Sequence, residues 1–488
     1  MIRRASHIVF TALILASASG CTVNPATGKQ DFTPLMGADR EAAVGAEEHP
    51  KLLAAFGGSY DERPSLNAYV DEIGRRLLAV TETPAAKFTF TIVNSDVVNA
   101  FALPGGYVYI SRGLMALTNN EAELAGVMAH EIGHITARHT AQRYNRSVFT
   151  QLGAAVIGAA VGNRAISQVA NLGAAVYVQG YSRDQEFEAD QLGIRYLVRA
   201  GYASGAMADF LSTLGADSAL AAKIAGDEDR PAETSLFASH PRTVDRVARA
   251  AETARATQSG KMRLAGDEFL LALDQTLFGD DPEQGLRRGR EFLHPELGFR
   301  FKAPPGFALH NTSKAVIARH ANGAVVIFSG DKLGRNLSMG RYLSDVWLDG
   351  VGLGDIDSIT INGMTAATGS ARARTRQGPR DLRAVALRFS GDTIYRFLIL
   401  TPPEVTERMS EGLRRMTYSF RPLTGREIEN ARPRRIRIHR VEPGETVASL
   451  AAGMPFKTHR AKRLRVLNGL APDEVLRPGR LIKLIASF

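Results

Sequence analysis

The chain has 488 residues but only one cysteine, Cys21. An intramolecular disulfide is therefore impossible, even in an oxidising compartment. The chain also lacks an uninterrupted apolar run long enough to cross a bilayer. Polar residues interrupt the alanine- and glycine-rich stretch 147–178, which predicts a buried or membrane-facing helical hairpin instead. No repeat of the kind that marks a solenoid is present.

What the chain does contain is typical of a globular protein. Hydrophobic residues make up 44% of it and charged residues 23%, which excludes a mainly disordered chain. The length allows about three domains.

Residues 1–20 have the pattern of a secretory signal peptide. Two arginines are followed by the apolar segment 8–16 and then by small residues. Cys21 ends that segment as the lipidated cysteine ends a bacterial lipobox, although Ala18 stands where leucine is usual. Thr22 is not the aspartate that often retains lipoproteins at the inner membrane. We therefore predict a periplasmic, outer-membrane lipoprotein; the alternative is an ordinary cleaved signal peptide.

Positive charge is concentrated near the C-terminal end. The net charge is +10, and the residues from Arg426 onward hold fourteen Lys/Arg against six Asp/Glu, a net charge of +8. Such a region predicts an anionic partner. For an exported protein, the cell wall or an anionic membrane surface is favoured over nucleic acid.

Hydrophobic periodicity predicts the elements of the first half of the chain. Apolar residues at three- and four-residue spacing indicate helices, and alternating apolar residues indicate strands. Helices are predicted within 37–83 and at 120–143, 183–222 and 240–258, and strands at 87–95, 99–103 and 107–111.

The character of the sequence changes near residue 290, where strand-like runs alternate with helices. We predict an α+β multidomain protein with the following order. A tether covers 21–36, a mainly helical domain with a small sheet 37–265, an α+β domain 290–425, a basic linker 426–437 and a small third unit 438–488.

The stretch "HEIGH" at 130–134 carries the chemistry. His130 and His134 are four residues apart, about 40° of rotation on a helix, so that both imidazoles can bind one metal ion. Glu131 is placed to act as general base on a zinc-bound water. The surrounding residues are apolar, so the motif is expected to be buried, where unpartnered polar groups are costly.

Other residues must complete the site. His139 lies nine residues after His130, about 180° around a continuous helix, which predicts a structural or surface histidine. A catalytic zinc keeps three protein ligands and one open position. The predicted helix "SRDQEFEADQLGIRYL" offers Glu186 and Asp190 on one face and Glu188 on the other, and spacing alone does not choose between the faces.

Three motifs, "NAFALPGGYVYISRGLMALTNNEAELAGVMAHEIGHI", "YSRDQEFEAD" and "FASHPRTVDR", occur in this order. Together they resemble the HtpX-like and BepA-like gluzincin metallopeptidases, a group that includes the CAAX prenyl endoprotease. The resemblance covers roughly residues 37–255. It implies one Zn²⁺ per chain, with Glu186 as third ligand and Asp190 as the partner of a ligating histidine. Glu188 is left without a metal role.

The same resemblance implies further site residues. Asn99 and Ala100 would lie in an edge strand that binds an extended peptide substrate. His240 would lie near the zinc, where it either stabilises the tetrahedral intermediate or closes the site as an extra ligand. Arg246 would pack near the site.

Two further resemblances concern the rest of the chain. The end of the α+β domain is similar to PsbP-like domains. "VEPGETVASLA" and "LNGL" with "LRPGRLIKL" resemble a LysM module, a small βααβ fold that binds peptidoglycan. The basic segment between these two stretches departs from the LysM pattern.

These patterns predict a zinc-dependent endopeptidase that hydrolyses unfolded or misassembled cell-envelope proteins, as part of envelope quality control. Its partners would be polypeptide substrates, the membrane through a lipid anchor, and peptidoglycan. One alternative is a wall-tethered assembly factor or scaffold with a mostly closed metal site. A third possibility is a hydrolase of the wall peptide.

Overall fold

The structure is a computed structural model. It describes residues 21–33, 36–145, 180–225, 236, 240, 252, 262–333, 337–375 and 378–487. The predicted signal peptide, the predicted hairpin 147–178 and most of the predicted helix 240–258 lie outside these ranges. Within them, no helix combines the length and apolar character needed to cross a membrane.

The first unit is mainly helical with one small sheet. Its sheet has the order β3-β5-β4, with β5 parallel to β3 and antiparallel to β4. Its elements are β1 (Cys21–Val23), β2 (Gln30–Phe32), α1 (Ala38–Ala55), α2 (Pro64–Leu78), β3 (Thr89–Val93), β4 (Ala100–Leu103), β5 (Tyr107–Ser111), α3 (Arg112–Leu117), α4 (Glu121–Thr136), α5 (Arg183–Arg199), α6 (Ala206–Ala225) and α7 (Gly266–Leu273).

The predicted tether 21–36 contains a folded hairpin. Strands β1 and β2 pair antiparallel, with Val23 opposite Gln30. Asn24 is buried, and its Nδ2 donates to the carbonyl of Ala137 at 3.2 Å, just beyond the end of α4. The segment is therefore bound to the helical unit and is not a free spacer.

Helix α4 begins at a capped and charged N-terminus. The side chain of Asn120 accepts a hydrogen bond from the backbone N–H of Glu123 at 2.9 Å. Glu121, only 1% exposed, forms ion pairs with Arg76 at 2.7 Å and Arg263 at 2.8 Å. Tyr202 donates to the same carboxylate at 2.6 Å. This network fixes the start of α4 between α2 and the residues that precede α7.

The end of α4 differs from the prediction of one helix over 120–143. The helix stops at Thr136, the chain turns at Ala137 and Arg138, and helical structure resumes over 139–145. Arg138 has a φ of 60°, in the left-handed region that is unfavourable for a residue with a Cβ. The break changes the direction of every side chain that follows it.

The α+β unit is built on a seven-stranded antiparallel sheet with the order β12-β13-β14-β15-β11-β10-β9, beside a four-stranded sheet with the order β16-β8-β7-β6. It begins at 286, slightly before the predicted boundary of 290. Its elements are β6 (Leu286–Arg288), β7 (Glu291–His294), β8 (Phe299–Lys302), β9 (Phe307–Asn311), β10 (Val316–His320), β11 (Val325–Lys332), α8 (Met339–Tyr342), β12 (Asp357–Ile361), β13 (Met364–Thr375), β14 (Gly378–Ser390), β15 (Thr393–Thr401), α9 (Pro403–Tyr418) and β16 (Arg421–Pro422).

The C-terminal unit has a strand, two helices and a strand, with its two strands paired antiparallel. Part of the predicted linker 426–437 is structured, because it contains most of a short helix and the start of a strand. The elements are α10 (Gly425–Glu429), β17 (Arg434–Arg440), α11 (Val447–Ala452), α12 (Arg460–Leu467) and β18 (Leu481–Ser487).

A buried lysine joins this C-terminal unit to the helical unit. Lys483 of β18 is fully buried, and its Nζ donates to the carbonyl oxygens of Ala116 at 2.8 Å and Thr118 at 2.5 Å. These carbonyls lie at the end of α3, immediately before α4. Burial lowers the pKa of Lys483, and the nearby carboxylate of Glu123 opposes that shift. The unit therefore packs against the segment that leads into the metal-site helix.

We expect Glu121→Gln to destabilise the protein by about 2–3 kcal/mol, because two arginines lose a buried carboxylate partner. Burial raises the pKa of Glu121, but its hydrogen bonds with Arg263, Tyr202 and Tyr69 outweigh burial and lower the pKa to about 2. The contribution is therefore complete above about pH 4.5 and is lost as the pH falls towards 2.

Urea denaturation followed by circular dichroism between pH 2.5 and 7 measures both effects. The loss of stability with acid should be shallower in Glu121→Gln than in the native protein. The control is Glu72→Gln, which removes a carboxylate that is 69% exposed and pairs with Arg76 from the surface. That change should cost less than about 0.5 kcal/mol; equal losses in the two variants would contradict the role of Glu121.

Candidate metal centre

Two closely packed helices build the site. Helix α4 carries His130, Glu131 and His134, and α5 carries Glu186 in its first turn. A Cβ on Gly133 would lie 3.0 Å from the carbonyl oxygen of Ala189 on α5. A Cβ on Gly193 of α5 would lie 3.0 Å from the backbone nitrogen of His130. The two glycines therefore allow the backbones of α4 and α5 to pack closely, and α5 lies directly over Gly133.

The start of α5 is fixed by a capping box. Ser182 accepts from the N–H of Gln185, and the side chain of Gln185 accepts from the N–H of Ser182. Glu186 follows directly, fully buried against α4. An acidic residue in the first turn is also favoured by the helix dipole.

Four buried side chains converge on one point. His130, His134, Glu186 and His240 each offer one donor atom, and these four atoms all lie within 4.8 Å of one another. The Nε2 atoms of His130 and His134 are 3.0 Å apart, and Oε1 of Glu186 lies 3.4 Å from Nε2 of His134. Nδ1 of His240 lies 2.8 Å from Oε1 of Glu186 and 3.3 Å from Nε2 of His130.

Two of the four donors, His134 and Glu186, are electrostatically suited to a cation. Burial lowers the pKa of His130, whereas Asp190, Glu186 and Glu131 outweigh burial and raise it. Burial lowers the pKa of His134 well below its usual value. Burial raises the pKa of Glu186, but His240, His134 and His130 outweigh it and hold that pKa well below the usual range. A neutral imidazole and an ionised carboxylate are the forms that bind metals. Converging lone pairs in a buried site are costly unless a cation lies among them, so the donor set fits a metal ion.

Glu131 lies beside the four donors. Its side chain is fully buried, and neither of its carboxylate oxygens forms a hydrogen bond with any residue in the described ranges. Nε2 of His240 lies 3.4 Å from Oε1 of Glu131. A buried carboxylate in this state is available to accept a proton from a group bound at the metal position.

Both α4 histidines have a polar neighbour at their second ring nitrogen. Nδ1 of His130 lies 2.9 Å from Oδ1 of Asp190, which shares a face of α5 with Glu186. Nδ1 of His134 lies 3.0 Å from Nδ1 of His139. Nε2 of His139 in turn lies 3.1 Å from Oε2 of Glu188.

The position of His139 differs from the one predicted from helix geometry. His139 is not one of the four converging residues, but it is buried, 1% exposed, and it contacts a residue that is. The calculation of about 180° assumed a continuous helix, whereas α4 ends at Thr136 and the chain turns at Arg138. The surface alternative is therefore wrong. Glu188 is not one of the four converging residues; within the described ranges it contacts His139, which in turn contacts His134.

The predicted substrate strand β4 lies at an edge of the small sheet. The carbonyl of Asn99 accepts from the N–H of Ser111 at 3.0 Å, within the sheet. Hydrogen-bonded pairs alternate in an antiparallel ladder, so Ala100 and Ala102 direct their backbone groups to the outer edge. The backbone carbonyl of Asn99 is thus used within the sheet, and contact of Asn99 and Ala100 with a substrate stays a prediction.

Arg143 and Tyr181 are neighbours of the site that sequence reasoning missed. Nη2 of Arg143 donates to the carbonyl of Ala102 at 3.2 Å, on the outer edge of β4. The guanidinium also lies 4.3 Å from the ring centre of Tyr181, which stacks on His134 at 3.7 Å. The undescribed residues 146–179 separate the two in sequence, so no spacing signal linked them. Arg246 lies outside the described residues.

Part of the chain has a weak likeness to solved structures. The solution structure of cyanobacterial PsbP from Synechocystis aligns with 28% of this chain and 98% of that protein, at 12% identity and a TM-score of 0.23. A likeness at this level carries no argument about function.

The chain has relatives in sequence. One is the putative beta-barrel assembly-enhancing protease of Vibrio cholerae, 34% identical over 202 residues, or 39% of this chain and 40% of that protein. Another is the beta-barrel assembly-enhancing protease of Yersinia pestis, 33% identical over 43% of this chain and 46% of that protein. The chain thus spans less than half the length of these two curated relatives. Residues 64–254, a span that includes His130, His134, Glu186 and His240, match the model of Peptidase family M48.

Proposed function

We propose that the helical unit is a zinc-dependent endopeptidase that hydrolyses peptide bonds in unfolded or misassembled cell-envelope proteins. The observation that carries this proposal is the convergence of three histidines and a carboxylate next to Glu131, a buried carboxylate without a hydrogen-bond partner in the described ranges. A structural metal site needs only the ligands. The additional carboxylate is what hydrolysis requires.

Zinc fits this donor set because imidazole nitrogen and carboxylate oxygen are among its usual tetrahedral ligands. His130, His134 and Glu186 would hold it. When bound, zinc supplies a Lewis acid that lowers the pKa of water and polarises a carbonyl. Asp190 orients His130 and raises its basicity.

Glu131 performs the proton transfers. Its carboxylate accepts a proton from the attacking water and delivers it to the nitrogen of the leaving amine. Burial of the group keeps competing water away and strengthens its electrostatic interactions. The reaction therefore needs Glu131 ionised before attack and protonated before the peptide bond breaks.

The edge strand β4 suggests how a substrate is held. An extended peptide would add to the outer edge at Ala100 and Ala102 through backbone hydrogen bonds. Such bonds are largely independent of side-chain identity, which suits unfolded polypeptides. Arg143 occupies the Ala102 carbonyl, so the peptide would have to displace it.

The envelope location rests on the sequence and the relatives' names. A signal-peptide pattern ending at Cys21 supports export and lipidation, and the two relatives are named for beta-barrel assembly. The LysM-like pattern and the basic C-terminal unit support contact with peptidoglycan. Outer-membrane anchoring, wall binding and quality control are all parts of this proposal.

One observation favours the second candidate, an assembly factor or scaffold with a closed metal site. His240 contributes a fourth donor atom, and four protein ligands are typical of structural zinc sites. A peptidase needs that position for water and substrate. For the peptidase, we propose instead that His240 closes the site in this conformation and withdraws when substrate binds.

We expect Glu131→Gln to lower kcat/KM for an unfolded substrate such as reduced casein by about 10²–10⁴-fold, the usual effect of a lost general base. Zinc content, measured by mass spectrometry of the metal, should stay near one per chain. Glu72→Gln, a surface carboxylate, is the matched control. Equal cleavage by Glu131→Gln and the native protein would contradict the enzymatic role. It would favour the second candidate, an assembly factor or scaffold.

His240→Ala separates closure of the site by His240 from stabilisation of the oxyanion by His240. If His240 closes the site, the variant retains zinc on three ligands and cleaves casein faster than the native protein. Zinc stoichiometry and initial rates are measured in the same samples. A fall of about 10²–10³-fold in kcat with zinc retained would indicate instead that His240 stabilises the oxyanion.

A further inference from the structure

We propose that His139 and Glu188 are positioning residues for the metal ligand His134. They form a hydrogen-bonded chain in which Nδ1 of His134 contacts Nδ1 of His139 at 3.0 Å and Nε2 of His139 contacts Oε2 of Glu188 at 3.1 Å. The inference rests on the proposed metal centre and assigns a role to two residues outside its ligand set.

The two ends of the chain determine the position of each proton. His134 presents Nε2 to the other donors, so a metal bound there leaves Nδ1–H as a donor. His139 must then accept at Nδ1, and its single proton lies on Nε2. That proton is donated to the carboxylate of Glu188, which only accepts when ionised.

The break after α4 makes this arrangement possible. On a continuous helix, residue 139 would lie away from residue 134. The turn at Ala137 and Arg138 brings His139 back against His134. The left-handed conformation of Arg138 has an energetic cost. The turn that contains it is what allows His139 to contact His134.

Helix α5 thereby supplies a carboxylate towards each ring nitrogen of His134. Oε1 of Glu186 lies 3.4 Å from Nε2, and Glu188 reaches Nδ1 through His139. Two residues apart on a helix, these carboxylates point in different directions, so Glu188 cannot act as Asp190 does for His130. His139 bridges the gap between Glu188 and the ligand.

His134 is also restrained from its ring face. Tyr181 stacks on it with ring centres 3.7 Å apart and planes inclined by 15°. Stacking fixes the plane of the imidazole but not which nitrogen carries the proton. The hydrogen bond to His139 is the contact that selects the tautomer with Nε2 free to bind metal.

The test measures zinc affinity, which does not depend on peptidase activity. His139→Leu removes the hydrogen bonds that link His134 to Glu188. We expect this variant to bind zinc about 10- to 100-fold more weakly than the native protein, the usual effect of losing such a partner. A fluorescent chelator in competition with the full-length protein gives the dissociation constant. His139→Gln is the conservative rescue, because its amide can accept from His134 and donate to Glu188, and it should recover most of the affinity.

Two further variants control for structure. His294→Leu removes a buried histidine from β7 in the α+β unit and should leave zinc affinity unchanged. Glu188→Leu should weaken zinc binding in the same direction as His139→Leu, and adding His139→Leu to it should cause little further loss, since both changes break one chain.

The inference is overturned if His139→Leu binds zinc as tightly as the native protein, or if it lowers only the melting temperature of the metal-free form. It is equally overturned if His139→Gln binds as weakly as His139→Leu. Weaker zinc binding by His139→Leu, together with a native protein that cleaves no unfolded substrate, would support this inference and refute the proposed peptidase function. A native protein that binds no zinc would refute both.

Discussion

The close contact between α4 and α5 is the constraint on which the metal centre depends. The two histidines on α4 are four residues apart and therefore lie on one face of the helix. The third donor, a carboxylate, must come from a helix that packs closely on that face. Gly133 and Gly193 remove the side chains that would hold the helices apart. The same contact places histidines and carboxylates away from water, where each needs a partner. The site is therefore a network in which Asp190, Glu188 and His139 hold the groups that would bind the ion.

The free-energy cost of burying these polar groups is offset by interactions of the surrounding residues. The apolar face of α4 packs in the main core of the helical unit, and its first residue, Glu121, is held by two arginines and a tyrosine. At the other end, the hairpin β1–β2 supplies a hydrogen bond to the chain just beyond the helix. A helix fixed at both ends keeps its ligands in register with α5. Preorganisation of this kind lowers the ordering that metal and substrate must bring about when they bind.

Sequence reasoning reached the parts of the site that depend on local spacing. The four-residue spacing places His130 and His134 together because it needs only a helix, and the helix exists. Glu186 followed from a family resemblance, since spacing alone did not separate it from Glu188. The strands at 99–103 and 107–111 lie within one residue of their predicted ends because alternation and the Pro104-Gly105-Gly106 turn are strong local signals.

The rest depended on long-range packing. No glycine or proline marks the break at Ala137 and Arg138, so the direction of His139 could not be read from periodicity. Lys483 is a charged residue that sequence rules place at the surface, yet it is buried because carbonyls from a unit more than 350 residues earlier accept its protons. The C-terminal unit is thus packed against the helical unit, which its sequence did not indicate.

The hairpin at the start of the described chain has a spatial consequence. Asn24, three residues after Cys21, is already bound to the turn that follows the metal-site helix. If Cys21 carries a lipid, almost no slack separates the acyl chains from the folded protein. The position of the proposed metal centre relative to the bilayer would then be set by this hairpin, and polypeptides close to the membrane surface would be the ones within reach.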